Sequence, residues 1–110
     1  MELIEDKKEN CMVVGIRGRL DTTTYGILEK KMEEFYDRGE NRFLVDCAGM
    51  DYISSSGLRV LLIGMKRAKV LGGRFVICSL RDNIREIFDI SGFSSIFEVF
   101  PDAGEALNTF

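Results

Sequence analysis

The sequence contains no histidine, and this absence removes several kinds of chemistry at once. Ser-His-Asp and Cys-His nucleophilic arrangements need an imidazole base, and neutral imidazole is also the commonest ligand for metals in proteins. The 18 Asp and Glu residues do not replace it, because they form no spaced acid and base pair within an apolar stretch. A Gly-rich Walker phosphate loop is missing as well. We therefore expect no enzyme activity, no cofactor and no metal site.

Closely spaced cysteines, a net positive charge and long apolar runs are also absent. Cys11, Cys47 and Cys78 are too far apart for a Cys-x-x-Cys motif, and each stands in an apolar run, so we interpret them as buried structural thiols. A net charge of −3 argues against direct binding to nucleic acid. No apolar run approaches the roughly 18 to 20 residues that span a bilayer, and the charged N-terminus is unlike a signal peptide. We expect a cytoplasmic protein without membrane contact.

The apolar pattern predicts an α/β fold in a single domain that covers residues 1–110. Helical periodicity alternates with unbroken apolar strands, which favours a mixed, mostly parallel sheet of four to five strands. An antiparallel N-terminal hairpin precedes about four helices, which we expect mainly on one face. The predicted strands are 2–5, 11–20, 42–46, 74–78 and 94–100; the first helix is predicted at 23–38, the third after a capping Asp82, and the last from Pro101.

The most informative segment is 51–62, where three serines and a glycine stand between a strand-like stretch and an amphipathic helix. Backbone N–H groups of a first helical turn lack partners and carry partial positive charge, so a serine can cap the helix and a phosphate would find donors. The apolar positions that follow predict Ser55 near the cap, bonded to the N–H of Leu58, with Ser56 in the first turn and the cap defined to within a residue. Serines that act only as caps are the alternative interpretation.

Five short segments follow one another in a recognisable order: Gly18-Arg-Leu-Asp21, Phe43-Leu-Val-Asp46, Tyr52-Ile-Ser-Ser-Ser-Gly-Leu58, Lys69-Val-Leu-Gly-Gly-Arg-Phe75 and Phe88-Asp-Ile-Ser-Gly-Phe93. In this order they resemble the STAS domain family, and specifically the bacterial anti-sigma factor antagonists. The resemblance as a whole covers nearly the full length of the chain. The chain departs from the family pattern at Ser54, where an aspartate is common, and at Arg59, where a glycine is frequent.

The resemblance implies a partner-switching regulator. Such a protein, when unphosphorylated, binds an anti-sigma factor that is also a serine kinase and thereby frees the sigma factor; phosphorylation breaks the complex, and a serine phosphatase restores it. Aligned on Gly57, the family's phosphoacceptor is Ser55. The implied partner surface comprises Asp21, Ser54, Ser55, Ser56, Gly57 and Arg59.

Two alternatives stay open at this level. The same helix N-terminus could serve a nucleotide-sensing or small-ligand-sensing module, as in STAS domains of larger proteins, and ligand binding without a kinase would favour that function. Asp21 could be only a cap of the first helix, since aspartate caps helices well. If it belongs to the partner surface, we expect it near Ser55 at one end of the sheet.

Overall fold

The computed structural model describes all 110 residues and contains five strands and four α-helices. The strands are β1 (Glu2–Lys7), β2 (Met12–Leu20), β3 (Arg42–Ile53), β4 (Arg74–Cys78) and β5 (Glu98–Phe100). The helices are α1 (Tyr25–Asp37), α2 (Ser55–Val70), α3 (Asp82–Ser91) and α4 (Ala103–Leu107), with a 3-10 turn at Phe93–Ser95. None of the helices combines the length and the apolarity that crossing a membrane requires.

The strands form one sheet in the order β1-β2-β3-β4-β5. Strand β1 is antiparallel to β2 and every other neighbouring pair is parallel, which confirms the predicted mixed, mostly parallel sheet with an N-terminal hairpin. Each parallel pair needs a crossover connection, and α1, α2 and α3 lie in these connections. As a result, the carboxyl ends of β2, β3 and β4 share one edge of the sheet, and the three helices begin there.

Helices α1, α2 and α3 cover one face of the sheet, while the short α4 packs against the other, which confirms that the helices lie mainly on one face. The larger core has 21 buried residues, and Phe43 of β3 lies at its centre. Its ring is 5.9 Å from that of Phe35, 5.7 Å from Tyr36 and 6.3 Å from Phe75, measured between centroids. Removal of this apolar surface from water is the main stabilising contribution to the fold.

All three cysteines are buried and unpaired, as predicted for structural thiols. Burial raises the pKa of the Cys47 thiol far above its usual range and that of Cys78 to about 11. The thiolate is the reactive form of cysteine, so both side chains remain protonated and unreactive at neutral pH.

Strand β3 is longer than predicted. The predicted strand ended at Asp46, because Ala48 and Gly49 interrupt the apolar run, but the observed strand continues to Ile53. Pairing with β2 keeps this stretch extended as far as the pair Leu20–Ile53, with two irregularities in register on the way. The extension carries the chain directly to the serines.

The segment between α3 and β5 is also different from the prediction. Gly92 adopts a left-handed conformation, with φ of 81°, and ends α3 as predicted. The next residues form the 3-10 turn, which packs the Phe93 ring 6.3 Å from Phe88 and 5.9 Å from Phe97 between centroids. The strand predicted from residue 94 therefore begins only at Glu98.

Two predicted helix starts are corrected, that of α3 by one residue and that of α4 by two. Asp82 is the first residue of α3 rather than its cap; the cap position is Arg81, whose side chain makes no capping bond. Helix α4 is capped by Asp102, whose carboxylate accepts a hydrogen bond from the Glu105 N–H at 2.9 Å, so Pro101 stands before the cap and not in the first turn.

Candidate functional site at the start of helix α2

Ser54, and not Ser55, caps α2. Its backbone is extended, with φ of −96° and ψ of 175°, and its Oγ accepts a hydrogen bond from the N–H of Gly57 at 3.2 Å. Its own N–H donates to the carbonyl of Leu20 at 2.9 Å, which holds Ser54 to the end of β2. The sequence prediction placed the cap one residue later. The spacing of apolar residues along α2 does not reveal the hydrogen bond from Ser54 to Leu20, which fixes where the extended chain ends.

Ser55 is the first residue of α2, and its side chain is exposed. Its hydroxyl makes no hydrogen bond to any other residue, whereas the Ser54 hydroxyl is used by the cap. Ser56 lies in the first turn, as predicted, and is half-buried between α1 and α2. The three consecutive serines thus have different surroundings: the hydroxyls of Ser55 and Ser56 make no hydrogen bond, and of the three residues only Ser55 is exposed.

Gly57 allows α2 to approach β2 closely. A Cβ atom at this position would lie 2.7 Å from the carbonyl oxygen of Leu20 and 2.9 Å from a side-chain carbon of Ile53. Both distances are shorter than side chains tolerate, and the nearer contact is to backbone. Gly57 is buried, so it affects the predicted partner surface through the position it gives to the serines.

Asp21 follows directly after β2 and organises the turn that leads into α1. Its Oδ1 accepts hydrogen bonds from the hydroxyl of Thr23 at 2.7 Å and from the N–H of Thr23 at 2.9 Å. The side chain of Thr24 in turn accepts from the N–H of Asp21 at 2.9 Å. These donors, the Thr23 hydroxyl foremost, lower the pKa of Asp21 to about 2, so its carboxylate stays charged.

The structure brings the Asp21 turn and the serines to the same edge of the sheet. The hydrogen bond between Ser54 and Leu20 joins the residues immediately before Ser55 and Asp21. The alternative interpretation of Asp21 as the helix cap is not what the structure shows, because the residue at the cap position of α1 is Thr24. Asp21 instead closes a turn of four residues before the helix.

Sequence reasoning missed Arg19 and Tyr52, which lie beside this turn. They are opposite each other in the pairing of β2 with β3, and the Arg19 guanidinium stacks 4.0 Å from the centre of the Tyr52 ring. The Nε of Arg19 donates to the Asp21 carboxylate at 3.3 Å. The i, i+2 spacing of Arg19 and Asp21 was the available signal, since alternate residues of an extended chain share one side.

A groove of about 220 Å³ runs between α1 and α2 next to the serines. Its lining combines two hydroxyl groups, two charged groups and two aliphatic side chains: Tyr25, Glu29, Ser56, Arg59, Val60 and Ile63. Arg59 is exposed and forms no ion pair within 4.0 Å, although the Glu29 carboxylate shares the groove. The groove places one predicted site residue, Arg59, beside another, Ser56.

A larger groove, of about 460 Å³, lies over β1, β2 and β3 and contains none of the predicted site residues. Gly15 and Gly49 line it, together with the charged side chains of Asp6, Arg17 and Asp46. No three carboxylate or thiol groups are placed together as ligands for a metal ion. The predicted residues therefore define a separate site at the start of α2.

Comparison with known proteins identifies the family. The profile of the STAS domain matches residues 3–106. The chain belongs to the STAS domain family. Among the relatives of this STAS domain is BtrV of Bordetella bronchiseptica, which carries a provisional name as an anti-sigma factor antagonist; it is 38% identical over 99 residues, which cover 90% of this chain and 85% of BtrV.

Solved structures confirm the STAS fold at much lower sequence identity. The crystal structure of TM1081 from Thermotoga maritima superimposes with a TM-score of 0.92 at 17% identity, covering 97% of this chain and 92% of the other. The Bacillus cell fate determinant SpoIIAA, in its phosphorylated form, gives a TM-score of 0.76 at 17% identity, with 98% of both chains covered. The sheet and the helices that carry the candidate site are thus those of the family.

Proposed function

We propose that this STAS domain is an anti-sigma factor antagonist of the partner-switching kind, with Ser55 as its phosphoacceptor. Unphosphorylated, it binds an anti-sigma factor that is also a serine kinase and so releases the sigma factor. Phosphorylation of Ser55 ends that complex, and a serine phosphatase restores it. The observation that carries the proposal is the exposed Ser55 hydroxyl, which has no hydrogen-bond partner at the first position of α2.

The surroundings of the three serines favour Ser55 as the nucleophile. The oxygen of Ser54 already accepts from Gly57, and Ser56 is half-buried in the groove, so both are less accessible to a kinase than the exposed Ser55. In the transfer, the Ser55 oxygen bonds to the γ-phosphorus of ATP while the bond from that phosphorus to ADP breaks. The hydroxyl proton passes to a base of the kinase. This STAS domain is the substrate in that reaction.

The fold tolerates a phosphate at Ser55. The first N–H groups of α2 have no intrahelical partners, and the first turn of α2 contains no acidic residue. A helix N-terminus stabilises negative charge, so the added phosphate is accepted without refolding. That phosphorylated SpoIIAA retains a similar fold supports this step.

The partner complex does not tolerate the phosphate in the same way. Phosphoserine adds about −1.5 to −2 charges at pH 7 and a strongly hydrated group. If the surface formed by Asp21, Ser54, Ser55, Ser56, Gly57 and Arg59 is buried against the partner, that group must lose its water. Each 1.4 kcal/mol of such a penalty weakens binding about tenfold. Because this cycle uses ATP and a sigma factor, it takes place in the cytoplasm. The partners in the proposal are proteins, and it includes no direct contact with nucleic acid or membrane.

Incubation with the cognate anti-sigma kinase and ATP tests the assignment. We expect phosphorylation of wild type, Ser54→Ala and Ser56→Ala, and a loss of about one phosphoryl group, ~80 Da by intact mass, in Ser55→Ala alone. Mapping of the modified peptide identifies the position. We expect Ser55→Ala to fold like wild type, because an exposed hydroxyl without hydrogen-bond partners contributes little to stability. Undiminished phosphorylation of Ser55→Ala contradicts the proposal.

The structure gives less support to the alternative function as a nucleotide or small-ligand sensor. Ligand pockets commonly enclose about 300 to 1,000 Å³. The groove next to the start of α2, where such a ligand would bind, is open to solvent and has a volume of about 220 Å³, which is below that range. Nucleotide binding to the purified protein without a kinase would favour the sensor.

A further inference from the structure

Two arginines flank the start of α2, and only one of them is engaged. Arg19 donates to Asp21 at 3.3 Å and stacks on the ring of Tyr52 at 4.0 Å. Arg59 has neither kind of partner: no carboxylate lies within 4.0 Å of it, and it stacks on no aromatic ring. An exposed cation without a partner is therefore left within about one turn of Ser55.

The spacing on α2 suits an ion pair between residues 55 and 59. Residues four apart on a helix have Cβ atoms about 5 to 6 Å apart, and an anion four residues before a cation is the favourable order. Ser55 and Arg59 are both exposed, so neither side chain has to leave a packed position to meet the other. Phosphate and guanidinium also form bidentate, charge-assisted hydrogen bonds.

The other charged groups around the groove do not compete strongly for Arg59. Glu29 faces the groove from α1, but it carries a single charge and does not approach Arg59 within 4.0 Å. Asp21 is held by Thr23 and by Arg19. A phosphate on Ser55, with about −1.5 to −2 charges, exceeds either carboxylate.

We propose that Arg59 is the intramolecular counter-ion of a phosphate on Ser55, pairing with it across one turn of α2. This inference rests on the proposed function, since it concerns the form that carries phosphate on Ser55. The consequence for the switch is twofold. Phosphorylation adds negative charge to the partner surface and at the same time engages the free cation of Arg59.

The test uses the full chain with phosphoserine installed at position 55 by genetic code expansion, so that no kinase is needed. The second ionisation of the phosphate is followed by 31P NMR in wild type and in three variants: Arg59→Gln, Arg59→Lys and Lys69→Gln. Lys69 is the matched control, because it is an exposed cation without an ion pair at the other end of the same helix. An adjacent guanidinium stabilises the phosphate dianion and therefore lowers the pKa of the second ionisation.

We expect the midpoint of the phosphate titration in Arg59→Gln to lie roughly 0.15 to 0.4 pH units above that of wild type. Arg59→Lys should fall between them, and Lys69→Gln should match wild type. In wild type the Arg59 Nε–H resonance should shift over the same pH range. Equal midpoints for wild type and Arg59→Gln overturn the proposal, as does an equal shift in Lys69→Gln. A kinase that ignores Ser55 would refute the proposed function but leave this titration unaffected.

Discussion

Helices α2 and α3 begin at the same edge of the sheet, each after a parallel strand, yet their N-termini are built differently. Helix α3 has Asp82 in its first turn, so a carboxylate of its own already provides the negative charge that a helix N-terminus favours. Helix α2 has no acidic residue there, and its cap is a neutral serine. The carboxylate of Asp82 always supplies negative charge to the N-terminus of α3. The N-terminus of α2 has no such group, and a phosphate on Ser55 would supply negative charge there reversibly.

The two N-termini are also anchored differently. Helix α3 is attached through a flexible side chain, because Nε of Arg81 donates to the carbonyl of Ala48 at 3.1 Å. Helix α2 is attached through its backbone: the Ser54 N–H bonds to Leu20, and Gly57 lets the helix approach that same carbonyl. Rigid placement of α2 keeps Ser55 at a fixed position on the surface.

The close approach of α2 to β2 should make Gly57→Ala strongly destabilising. The new Cβ would meet the backbone oxygen of Leu20 at 2.7 Å, and backbone cannot rotate away as a side chain can. We expect a loss of about 1 to 3 kcal/mol in the free energy of unfolding, measured by urea denaturation.

Gly26→Ala in α1 is the matched control for Gly57→Ala. A Cβ there has no neighbour within 4 Å, and alanine favours helix over glycine by roughly 0.5 to 1 kcal/mol, so this variant should be unchanged or more stable. A neutral or stabilising effect of Gly57→Ala, equal to that of Gly26→Ala, would show that the contact with β2 does not require glycine at position 57.

The unequal roles of the serines predict a smaller, graded effect. Ser54→Ala removes the bond to the Gly57 N–H and should cost about 1 kcal/mol, within the range of roughly 0.5 to 2 kcal/mol for lost caps. Ser55→Ala should change stability by less than about 0.5 kcal/mol, as an exposed side chain without partners does. Thermal or urea unfolding of both variants measures the difference. A larger loss in Ser55→Ala than in Ser54→Ala would restore the original prediction that Ser55 is the cap.

The difference between predicted and observed caps shows what the sequence could and could not provide. Strand β4, Arg74–Cys78, was predicted to the residue because a short unbroken apolar run is typical of a buried strand in an α/β chain. The start of α2 was predicted only to within a residue, since it depends on the hydrogen bond between Ser54 and Leu20, which are distant in sequence. The same holds for β3, which pairing with β2 extends through a glycine.

Some features of the candidate site could likewise be predicted from the sequence, and others could not. Sequence similarity to the family indicated Ser55 and Asp21, but the exposed fractions that separate Ser55 from Ser54 and Ser56 follow from packing between α1 and α2. The absence of an ion pair at Arg59 likewise depends on the positions of carboxylates in the folded chain. Pairwise contacts of this kind leave no periodic pattern, so only the folded chain shows them.

The smallest expected effect concerns Asp21, which follows β2 at the edge of the sheet where α2 also begins. The Thr23 hydroxyl is the main cause of the low pKa of Asp21, followed by the Thr23 N–H. Thr23→Ala removes the hydroxyl but keeps the N–H, so the pKa of Asp21 should rise from about 2 part of the way towards its usual value of 3.8. Carboxyl 13C chemical shifts followed between pH 1.5 and 6 measure it.

The sign of the accompanying stability change follows from linkage. The pKa of Asp21 is lower in the folded state than in the unfolded state, so its contribution is fully present above about pH 4 and is lost as the pH falls towards 2. In Thr23→Ala the melting temperature should therefore fall less steeply over this range than in wild type. Thr22→Ala is the control, because the neighbouring exposed hydroxyl makes no hydrogen bond to Asp21. An unmoved Asp21 titration in Thr23→Ala, or an equal movement in Thr22→Ala, would show that another group holds this carboxylate in its charged form next to Ser55.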